Sequence, residues 1–260
     1  MISRRVITVF GGTGFIGRYV VQRLARQGYQ IRIATRDTES ANFLKPLGEI
    51  GQITPVPINM SNKDSIFRAL NGANRAINLI GISYESGKST FKKIHEEAAY
   101  NIAQLASKVG LEALVHVSAL GASYDSDSVY ARSKAAGEDA VNGAFKAAVI
   151  VRPSVIFGRE DNFFNMFASL ARITPIMPIF GCKTFSKFKF LGLNVPFGID
   201  DNNGGTRIQP VFVSDVAQAI VKILENSTNS NKIYELGGPK VYSFKEMIEM
   251  VLKESGRSRI

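Results

Sequence analysis

The chain has 260 residues, a length that suits one large α/β domain or one domain with a small lobe attached. Apolar residues make up 45% of it and charged residues 21%, the ordinary balance of a globular protein with a buried core. One cysteine and two histidines are too few for a disulfide framework or an ordinary zinc site, so the composition predicts no metal. The net charge of +10 favours an anionic partner, and a general lysine bias is the alternative interpretation.

The first half of the chain alternates short apolar runs with longer amphipathic ones, the pattern of β-α-β units. Right-handed crossovers place helices on both faces of a parallel sheet, so the sequence predicts a Rossmann-type, doubly wound parallel sheet of the α/β class. Ser61 is the expected cap of the second helix, with Asp64 three residues later. The predicted strands span residues 5–10, 30–35, 54–58, 76–80, 114–118 and 147–151, and the predicted helices span residues 15–27, 61–70, 90–109 and 129–142.

The second half is predicted to be a small C-terminal substrate lobe of residues 159–260, attached to a dinucleotide-binding domain of residues 1–158. Some of its elements are expected to return to the main domain. Residues 182–191 interleave lysines with phenylalanines, a pattern compatible with an anionic membrane surface, a lid over the ligand or a local apolar core. The predicted helices span residues 163–173, 213–226 and 243–255, the strands span 207–212 and 232–236, and residues 174–205 show no clear period.

A glycine loop follows the first predicted strand and opens the first helix, as a dinucleotide-binding fingerprint requires. Gly11 permits a sharp turn, Gly14 lets the backbone approach a pyrophosphate, and Gly17 is expected to let the helix pack on the sheet. The N–H groups at the start of the helix then face the phosphates. A tight turn without a ligand is the alternative.

The end of the second predicted strand indicates which dinucleotide is bound. An acidic residue here would accept hydrogen bonds from the adenosine ribose, whereas an arginine would pair with a 2′-phosphate. Arg36 comes first after the strand and Asp37 follows it. We therefore expect NADPH in preference to NAD(H), and a solvated loop charge is the alternative role of Arg36.

Tyr130 and Lys134 lie four residues apart on one predicted helix, so both side chains share a face. A neighbouring ammonium favours the phenolate and is expected to lower the pKa of Tyr130, which could then serve as a general acid or base. Ser118, at the end of the fifth predicted strand, could donate a hydrogen bond to a substrate carbonyl. The three residues are the predicted catalytic set.

The glycine loop, Ser118 and the Tyr130–Lys134 pair together resemble the extended and atypical short-chain dehydrogenase/reductase superfamily, which includes NAD-dependent epimerases and dehydratases. Segments 10–17, 115–120, 130–138, 151–163 and 209–219 narrow this likeness. They resemble the NADPH-binding accessory subunit of respiratory complex I, the alpha-subcomplex subunit nine family, in a bacterial form. The resemblance covers about residues 4–255 and depends chiefly on residues 152–162.

The resemblance implies a bound NADPH with little or no turnover, in a protein that docks on complex I near the membrane. It also assigns residues to the nucleotide. Pyrophosphate contacts fall to Gly11, Thr13, Gly14, Phe15, Ile16 and Gly17, the 2′-phosphate to Arg36, the adenine to Asn59 and Met60, the dinucleotide wall to Leu79, Ile80 and Gly81, and the nicotinamide end to Ser118, Tyr130, Lys134, Pro153 and Val155. Asn59 stands where many members have an aspartate, and its carbonyl oxygen can still accept from the adenine amino group.

Two classes of function stay open. One is a complex I accessory or assembly subunit that holds NADPH; the other is an NADP(H)-dependent oxidoreductase or epimerase/dehydratase, with ubiquinone biosynthesis as a related role. The near-immediate first strand leaves no room for a signal peptide, so a cytoplasmic protein is expected, with peripheral contact to the inner face of the plasma membrane as an option. No nucleic-acid motif is present. His95 and its two following glutamates do not form a metal motif, and Asn101 is expected to help position the active-site helix.

Overall fold

The structure, a computed structural model, describes residues 5–174, 176–180, 186–190, 193–197, 204–226 and 230–257. Within them, a central sheet contains the strands β1 (Val6–Phe10), β2 (Gln30–Thr35), β3 (Ile53–Pro57), β4 (Arg75–Asn78), β5 (Ala113–Val117), β6 (Val149–Pro153) and β12 (Ile233–Leu236). These seven strands are all parallel and lie in the order β3-β2-β1-β4-β5-β6-β12. The strand order reverses beside β1, and doubly wound sheets bind ligands in the crevice that forms at such a reversal.

Two groups of helices cover this sheet. Their bounds are α1 (Phe15–Arg26), α2 (Lys63–Leu70), α3 (Ala98–Lys108), α4 (Val129–Ala144) and α6 (Val213–Glu225), with a 3₁₀ helix at Asn42–Leu47 and a π-helical turn at Lys92–Glu97. Helix α1 packs against α6, while α2, α3 and α4 pack side by side. The α/β class and the doubly wound parallel sheet predicted from the sequence are therefore confirmed.

The core explains why these apolar runs become strands. Phe10, Ile33, Ile77 and Ile150 are all fully buried, as expected for parallel strands covered on both faces. Burying one side chain of this size stabilises the fold by about 1.5–3 kcal/mol. The strands are therefore nearly continuous apolar runs, and the sheet keeps its carboxyl edge free for polar loops.

Contacts divide the chain into two units: Met1–Pro153 with Val213–Leu236, and Ser154–Phe212 with Gly237–Ile260. The second unit contains β7 (Ile156–Phe157), α5 (Phe163–Ile173), β8 (Ser186–Phe190), β9 (Leu193–Phe197), β10 (Arg207–Ile208), β11 (Val211–Phe212), β13 (Tyr242–Ser243) and α7 (Phe244–Glu254). Helices α5 and α7 pack together through edge-to-face contacts of Phe163 and Phe167 with Phe244. The predicted domain boundary at residue 158 stays a prediction.

Several predicted bounds need correction. Asn62, not Ser61, caps α2, because its side chain accepts from the backbone N–H groups of Asp64 and Ser65. Residues 174–205 are not without regular structure, since β8 and β9 pair as an antiparallel hairpin. Cys182 and part of the lysine–phenylalanine segment 182–191 lie outside the described residues. In the described parts of the chain no helix has the length and apolar character needed to cross a membrane.

Candidate dinucleotide site

The glycine loop turns sharply out of β1. Gly11 has a φ of 77°, in the left-handed region that glycine adopts without strain, and the Gly14 N–H donates to its carbonyl oxygen at 3.1 Å. A Cβ on Gly17 would lie 2.6 Å from the Gly12 Cα, so Gly17 lets α1 close on the loop itself rather than on the sheet. Among the described residues no side chain caps α1, and its first turn contains no acidic residue. Its first N–H groups can therefore meet a phosphate.

A cleft of about 650 Å³ opens at the carboxyl ends of β1, β2 and β4. Its walls bring together nine of the residues predicted for the nucleotide: Gly11, Thr13, Gly14, Arg36, Asn59, Met60, Leu79, Ile80 and Gly81. Phe15, Ile16 and Gly17 belong to the start of α1 and do not line it. The cleft volume falls in the range of small-molecule sites, about 300–1,000 Å³.

The loop after β2 separates the roles of its two charged residues. Asp37 turns its carboxylate back onto the chain, where it accepts from the N–H groups of Glu39 at 2.9 Å and Ser40 at 3.3 Å. Arg36 is exposed on the cleft wall, and no ion pair to it occurs in the described part of the chain. Arg36 lines the cleft and Asp37 does not, so the guanidinium is the charged group of this turn that can meet a ribose substituent there.

Asn59 and Met60 line the wall beyond Arg36, where they were predicted to meet the adenine. The side-chain oxygen of Asn59 already accepts from the Ser61 N–H at 3.0 Å. A carboxamide oxygen has two lone pairs, so one remains for an adenine amino group. The Asn59 backbone is fixed by Ser65, whose hydroxyl donates to its carbonyl oxygen at 2.9 Å.

Lys134 and Tyr130 lie close together, and Ser118 directly follows Val117, which Lys134 contacts. A Cβ built on Gly81 would lie 3.1 Å from Lys134 Nζ, so the ammonium lies directly behind the cleft wall. Lys134 Nζ donates to the Val117 carbonyl oxygen at a long 3.5 Å. The Ser118 hydroxyl is buried and has no hydrogen-bond partner among the residues that the structure describes. Buried polar groups are nearly always paired, so this orphan hydroxyl indicates a missing partner.

The electrostatics of the pair differ from the expectation. Burial raises the pKa of Tyr130 above its usual range. Burial also lowers the pKa of Lys134 to about 8, while the carboxylate of Glu138 opposes that change. Lys134 Nζ lies 5.8 Å from the centroid of the Tyr130 ring, over its face. The predicted lowering of the Tyr130 pKa is therefore wrong for this arrangement, because desolvation of the phenol outweighs the distant ammonium.

Arg152, the first residue of the family-typical segment, holds α4 in place. Its guanidinium forms a two-pronged ion pair with Glu138, with contacts of 2.9 and 2.7 Å, and a further contact of 3.3 Å with Glu235. Glu138 is buried and lies one helical turn beyond Lys134. The pair therefore ties the helix that carries Tyr130 to β6 and β12.

These residues fit a dinucleotide. The start of α1, the exposed Arg36 and the Ser118 hydroxyl each offer a donor that the described part of the chain does not engage. Pro153 ends β6 in the first unit, where its carbonyl oxygen accepts from Leu120, and Val155 belongs to the second unit. The predicted roles of Pro153 and Val155, like those of the other site residues, stay predictions.

Sequence reasoning missed part of the site. His95 is 1% exposed and forms hydrogen bonds with both the loop after β4 and Ser133 on α4. In the sequence, His95 was considered only as a metal ligand and was rejected as one. Asn101 was expected to help position the active-site helix, and the structure places it in the lining of the cleft. For the other cleft residues that were missed, the sequence offers one signal. They follow β4 in the chain, and the carboxyl end of β4 lies at the crevice. Five residues that follow β4 in the chain are among the further lining residues: Lys88, Ser89, Lys93, Ile94 and Glu97.

The comparisons with solved structures agree on the fold. The chain superposes on the Thermus thermophilus UDP-glucose 4-epimerase complex with NAD with a TM-score of 0.69, at 18% identity over 98% of this chain and 84% of that one. A putative epimerase from Burkholderia cenocepacia J2315 gives a TM-score of 0.68 at 19% identity over 99% of this chain and 82% of that one. At such identities the likeness shows the fold alone.

Sequence relatives are closer. A protein of Dictyostelium discoideum named NADH dehydrogenase [ubiquinone] 1 alpha subcomplex subunit 9, mitochondrial, is 38% identical over 95% of this chain and 63% of its own length. The Mus musculus protein of the same name is 36% identical over 100% of this chain and 63% of its own. Ceramide reductase of Caulobacter vibrioides is 32% identical over 68% of this chain and 54% of its own.

The chain thus spans a little under two thirds of the length of the complex I subunits it matches, at 63% for the Dictyostelium and mouse proteins. The family model of the NAD dependent epimerase/dehydratase family matches residues 7–237, which include the glycine loop, the cleft and the Ser118–Tyr130–Lys134 set. The fold, the glycine loop and the family model therefore agree. The chain belongs to the NAD dependent epimerase/dehydratase family.

Proposed function

We propose that this chain binds NADPH and serves as an accessory or assembly subunit of respiratory NADH:quinone oxidoreductase, with a nucleotide that is held more than used. The observation that carries this proposal is the identity of 36–38% with complex I subunits over 95–100% of the chain. The exposed Arg36 supports NADPH over NAD(H), because its guanidinium lines the cleft whereas Asp37 does not.

Each part of the site has a role in this proposal. The start of α1 and the glycine loop hold the pyrophosphate, Arg36 holds the 2′-phosphate, and Ser118 and Lys134 border the nicotinamide end. Tyr130 lies beside Lys134, and burial raises the pKa of its phenol, so the phenol is protonated at neutral pH. When bound, the nicotinamide supplies or accepts a hydride.

An NADP(H)-dependent oxidoreductase is the second candidate. The Ser118, Tyr130 and Lys134 side chains of that chemistry are all present, and one relative at 32% identity is named ceramide reductase. In this role Ser118 donates a hydrogen bond to a carbonyl oxygen, Tyr130 gives or takes the proton, and Lys134 orients the ribose. Epimerase or dehydratase chemistry would use the same three groups.

One experiment separates the two candidates. The purified protein is denatured, its nucleotide is identified by chromatography, and the intact protein is then mixed with quinones and carbonyl compounds. Stoichiometric NADPH that is neither oxidised nor released supports the accessory role. Steady oxidation that disappears in Tyr130→Phe supports the enzyme, and a protein that retains no nucleotide and binds none would overturn both.

The proposed partner and location need a separate test. We propose that the protein lies on the cytoplasmic side of the plasma membrane, in contact with complex I. An affinity-tagged copy expressed in its own host should then copurify with NADH:quinone oxidoreductase activity from solubilised membranes. Recovery of the tagged protein without that activity, in detergents that preserve the complex, would argue against the accessory role while leaving NADPH binding untouched.

A further inference from the structure

His95 occupies a position between the cleft and the helix that carries Tyr130. It lies in the π-helical turn Lys92–Glu97, a feature often found at functional sites. Its ring is 1% exposed, and both ring nitrogens have partners. The Ile82 N–H donates to Nε2 at 3.0 Å, and Nδ1 lies 2.8 Å from the Ser133 hydroxyl.

The hydrogen bonds fix the protonation state of this ring. A backbone N–H can only donate, so Nε2 carries no proton and the neutral ring bears its proton on Nδ1. Nδ1 therefore donates to Ser133, whose hydroxyl donates in turn to the Tyr130 carbonyl oxygen at 2.7 Å. Burial lowers the pKa of His95 to about 4, with the ammonium of Lys134 as a further cause, so the ring stays neutral.

The two ends of this chain of hydrogen bonds lie on different parts of the dinucleotide site. One end is the loop of Gly81 and Ile82, which lines the cleft. The other end is α4, which carries Tyr130 and Lys134. The two ends also approach each other directly, because Gly81 lies against Lys134 Nζ.

Ring and backbone packing surround the same histidine. The His95 ring stacks on Phe91 with centroids 5.2 Å apart, and the Tyr130 ring meets it edge to face at 5.5 Å. On α4, a Cβ at Gly137 would overlap the His95 carbonyl oxygen, so the π-helical turn touches the backbone of the helix. His95 is therefore in direct contact with both the loop after β4 and the helix that carries Tyr130.

We propose that His95 is a positioning residue of the dinucleotide site: it couples the loop Gly81–Ile82 to the helix that carries Tyr130 and Lys134, and so orders the nicotinamide end of the cleft. This proposal rests on the NADPH binding proposed above. Both hydrogen bonds of the ring are needed, one toward the loop and one toward Ser133. A residue that merely filled the core would be replaceable by any apolar side chain of similar size.

Three substitutions of His95 remove its two hydrogen bonds separately or together. His95→Gln places an amide oxygen near the position of Nε2 and keeps the acceptor for Ile82, whereas His95→Asn places an amide donor near Nδ1 and keeps the bond to Ser133. His95→Leu keeps neither. Lys92→Gln, an exposed neighbour in the same turn, is the matched control. Ser133→Ala removes one bond without touching the ring and serves if a His95 variant fails to fold.

Affinities for two ligands are compared by calorimetry: NADPH, and 2′,5′-ADP, which contains only the adenosine half of it. We expect His95→Leu to weaken NADPH binding by about tenfold or more, with Gln, Asn and Ser133→Ala intermediate, while 2′,5′-ADP binding stays unchanged in all of them. Lys92→Gln should match the wild type for both ligands.

Other outcomes would contradict either the positioning role of His95 or the proposed binding of NADPH. Equal losses for NADPH and 2′,5′-ADP would mean general damage to the fold and would overturn the positioning role. Wild-type NADPH affinity in a folded His95→Leu protein would overturn it as well. A wild-type protein that binds neither ligand would instead contradict the proposed NADPH function, so the two failures are distinguishable.

Discussion

Arg36 is the residue on which the choice of nucleotide depends. Its guanidinium is exposed on the cleft wall, while the neighbouring Asp37 carboxylate accepts from Glu39 and Ser40 within its own turn. A hydrogen bond to a charged group contributes about 1.5–3 kcal/mol. Arg36→Ala should therefore weaken NADPH binding by about tenfold to a hundredfold and leave NADH binding unchanged.

Calorimetric titration of both nucleotides measures this change. Arg68→Ala, which removes an exposed arginine of α2 outside the cleft, is the control for the general loss of one positive charge. If Arg36→Ala kept the ratio of the NADPH and NADH affinities, the 2′-phosphate would have to be recognised elsewhere, and the two cleft lysines Lys88 and Lys93 would be the next residues to test.

The buried Lys134 is expected to make the free energy of unfolding depend on pH. Its folded-state pKa is about 8 and the ordinary value is 10.5, so between these values the unfolded chain binds a proton that the folded chain has lost. Stability contributed at this site is therefore lowest below pH 8 and rises as the pH increases toward 10.5. Lys134→Met should flatten this part of the stability curve.

Urea unfolding of the nucleotide-free wild type and of Lys134→Met, across that pH range, measures the difference. Only the difference between the two proteins is informative, because other lysines and tyrosines titrate near the upper end of the range. Parallel curves for the two proteins would show that the Lys134 ammonium is not disfavoured by burial.

The sequence could predict the cleft residues because each follows a strand, and all parallel strands end at one edge of the sheet. Gly11, Arg36 and Gly81 come from three such loops and meet in the cleft. His95 could not be found in this way. Its partners Ile82 and Ser133 lie 13 and 38 residues away, and only the folded packing of α4 brings all three together.

At the scale of elements, α4 is held by a buried ion pair. Arg152→Met would leave the Glu138 carboxylate buried without its cation, and we expect a loss of about 2 kcal/mol of unfolding free energy, below the value for a fully buried pair because Arg152 is partly exposed. Glu235→Gln, at the exposed end of the same guanidinium, should cost less than about 1 kcal/mol.

The double variant Arg152→Met/Glu138→Leu completes the cycle. It replaces both charges by apolar groups, so most of the lost stability should return. Denaturant unfolding of the wild type, Arg152→Met, Glu138→Leu and the double variant gives the coupling energy. If the double variant were as unstable as the two single losses added together, Arg152 would stabilise α4 through packing of its stem rather than through Glu138.

The helix predicted over residues 90–109 shows what apolar periodicity can and cannot predict. Its second part is the helix α3, which buries Ala98, Ile102 and Leu105 at helical spacing. The first part is a π-helical turn, because His95 must face the loop after β4. A period of apolar residues carries no information about such a polar contact, so the sequence predicted one continuous α-helix.

The whole molecule carries a net charge of +10, and its two histidines are both buried. The charge supports contact with anionic surfaces, and membrane binding through residues 182–191 stays a prediction. Burial of the two histidines changes their pKa values. It lowers the pKa of His95 to about 4 and that of His116 to about 3, in both cases with a further contribution from the Lys134 ammonium.

These two groups predict that the fold is sensitive to acid. In the unfolded chain the histidines bind protons near pH 6.5, whereas in the folded chain they stay neutral until about pH 4 and pH 3. Stability should be fully present above pH 6.5 and should fall as the pH decreases from there toward 4. Each histidine adds about 1.4 kcal/mol per pH unit to the slope, and the growing positive charge adds repulsion.

His116→Asn tests this origin of the acid sensitivity. Asn78 donates from Nδ2 to His116 Nδ1 at 3.0 Å, and an asparagine oxygen near the same position keeps an acceptor for it. We expect the variant to lose stability at neutral pH through its smaller side chain, but to show a slope shallower by about 1.4 kcal/mol per pH unit below pH 6.5. Urea midpoints measured across this range give the slope, which packing alone would not change. A variant with the wild-type slope would assign the acid sensitivity to carboxylates rather than to the buried histidines, since carboxylate protonation is the other process that destabilises a folded protein in acid.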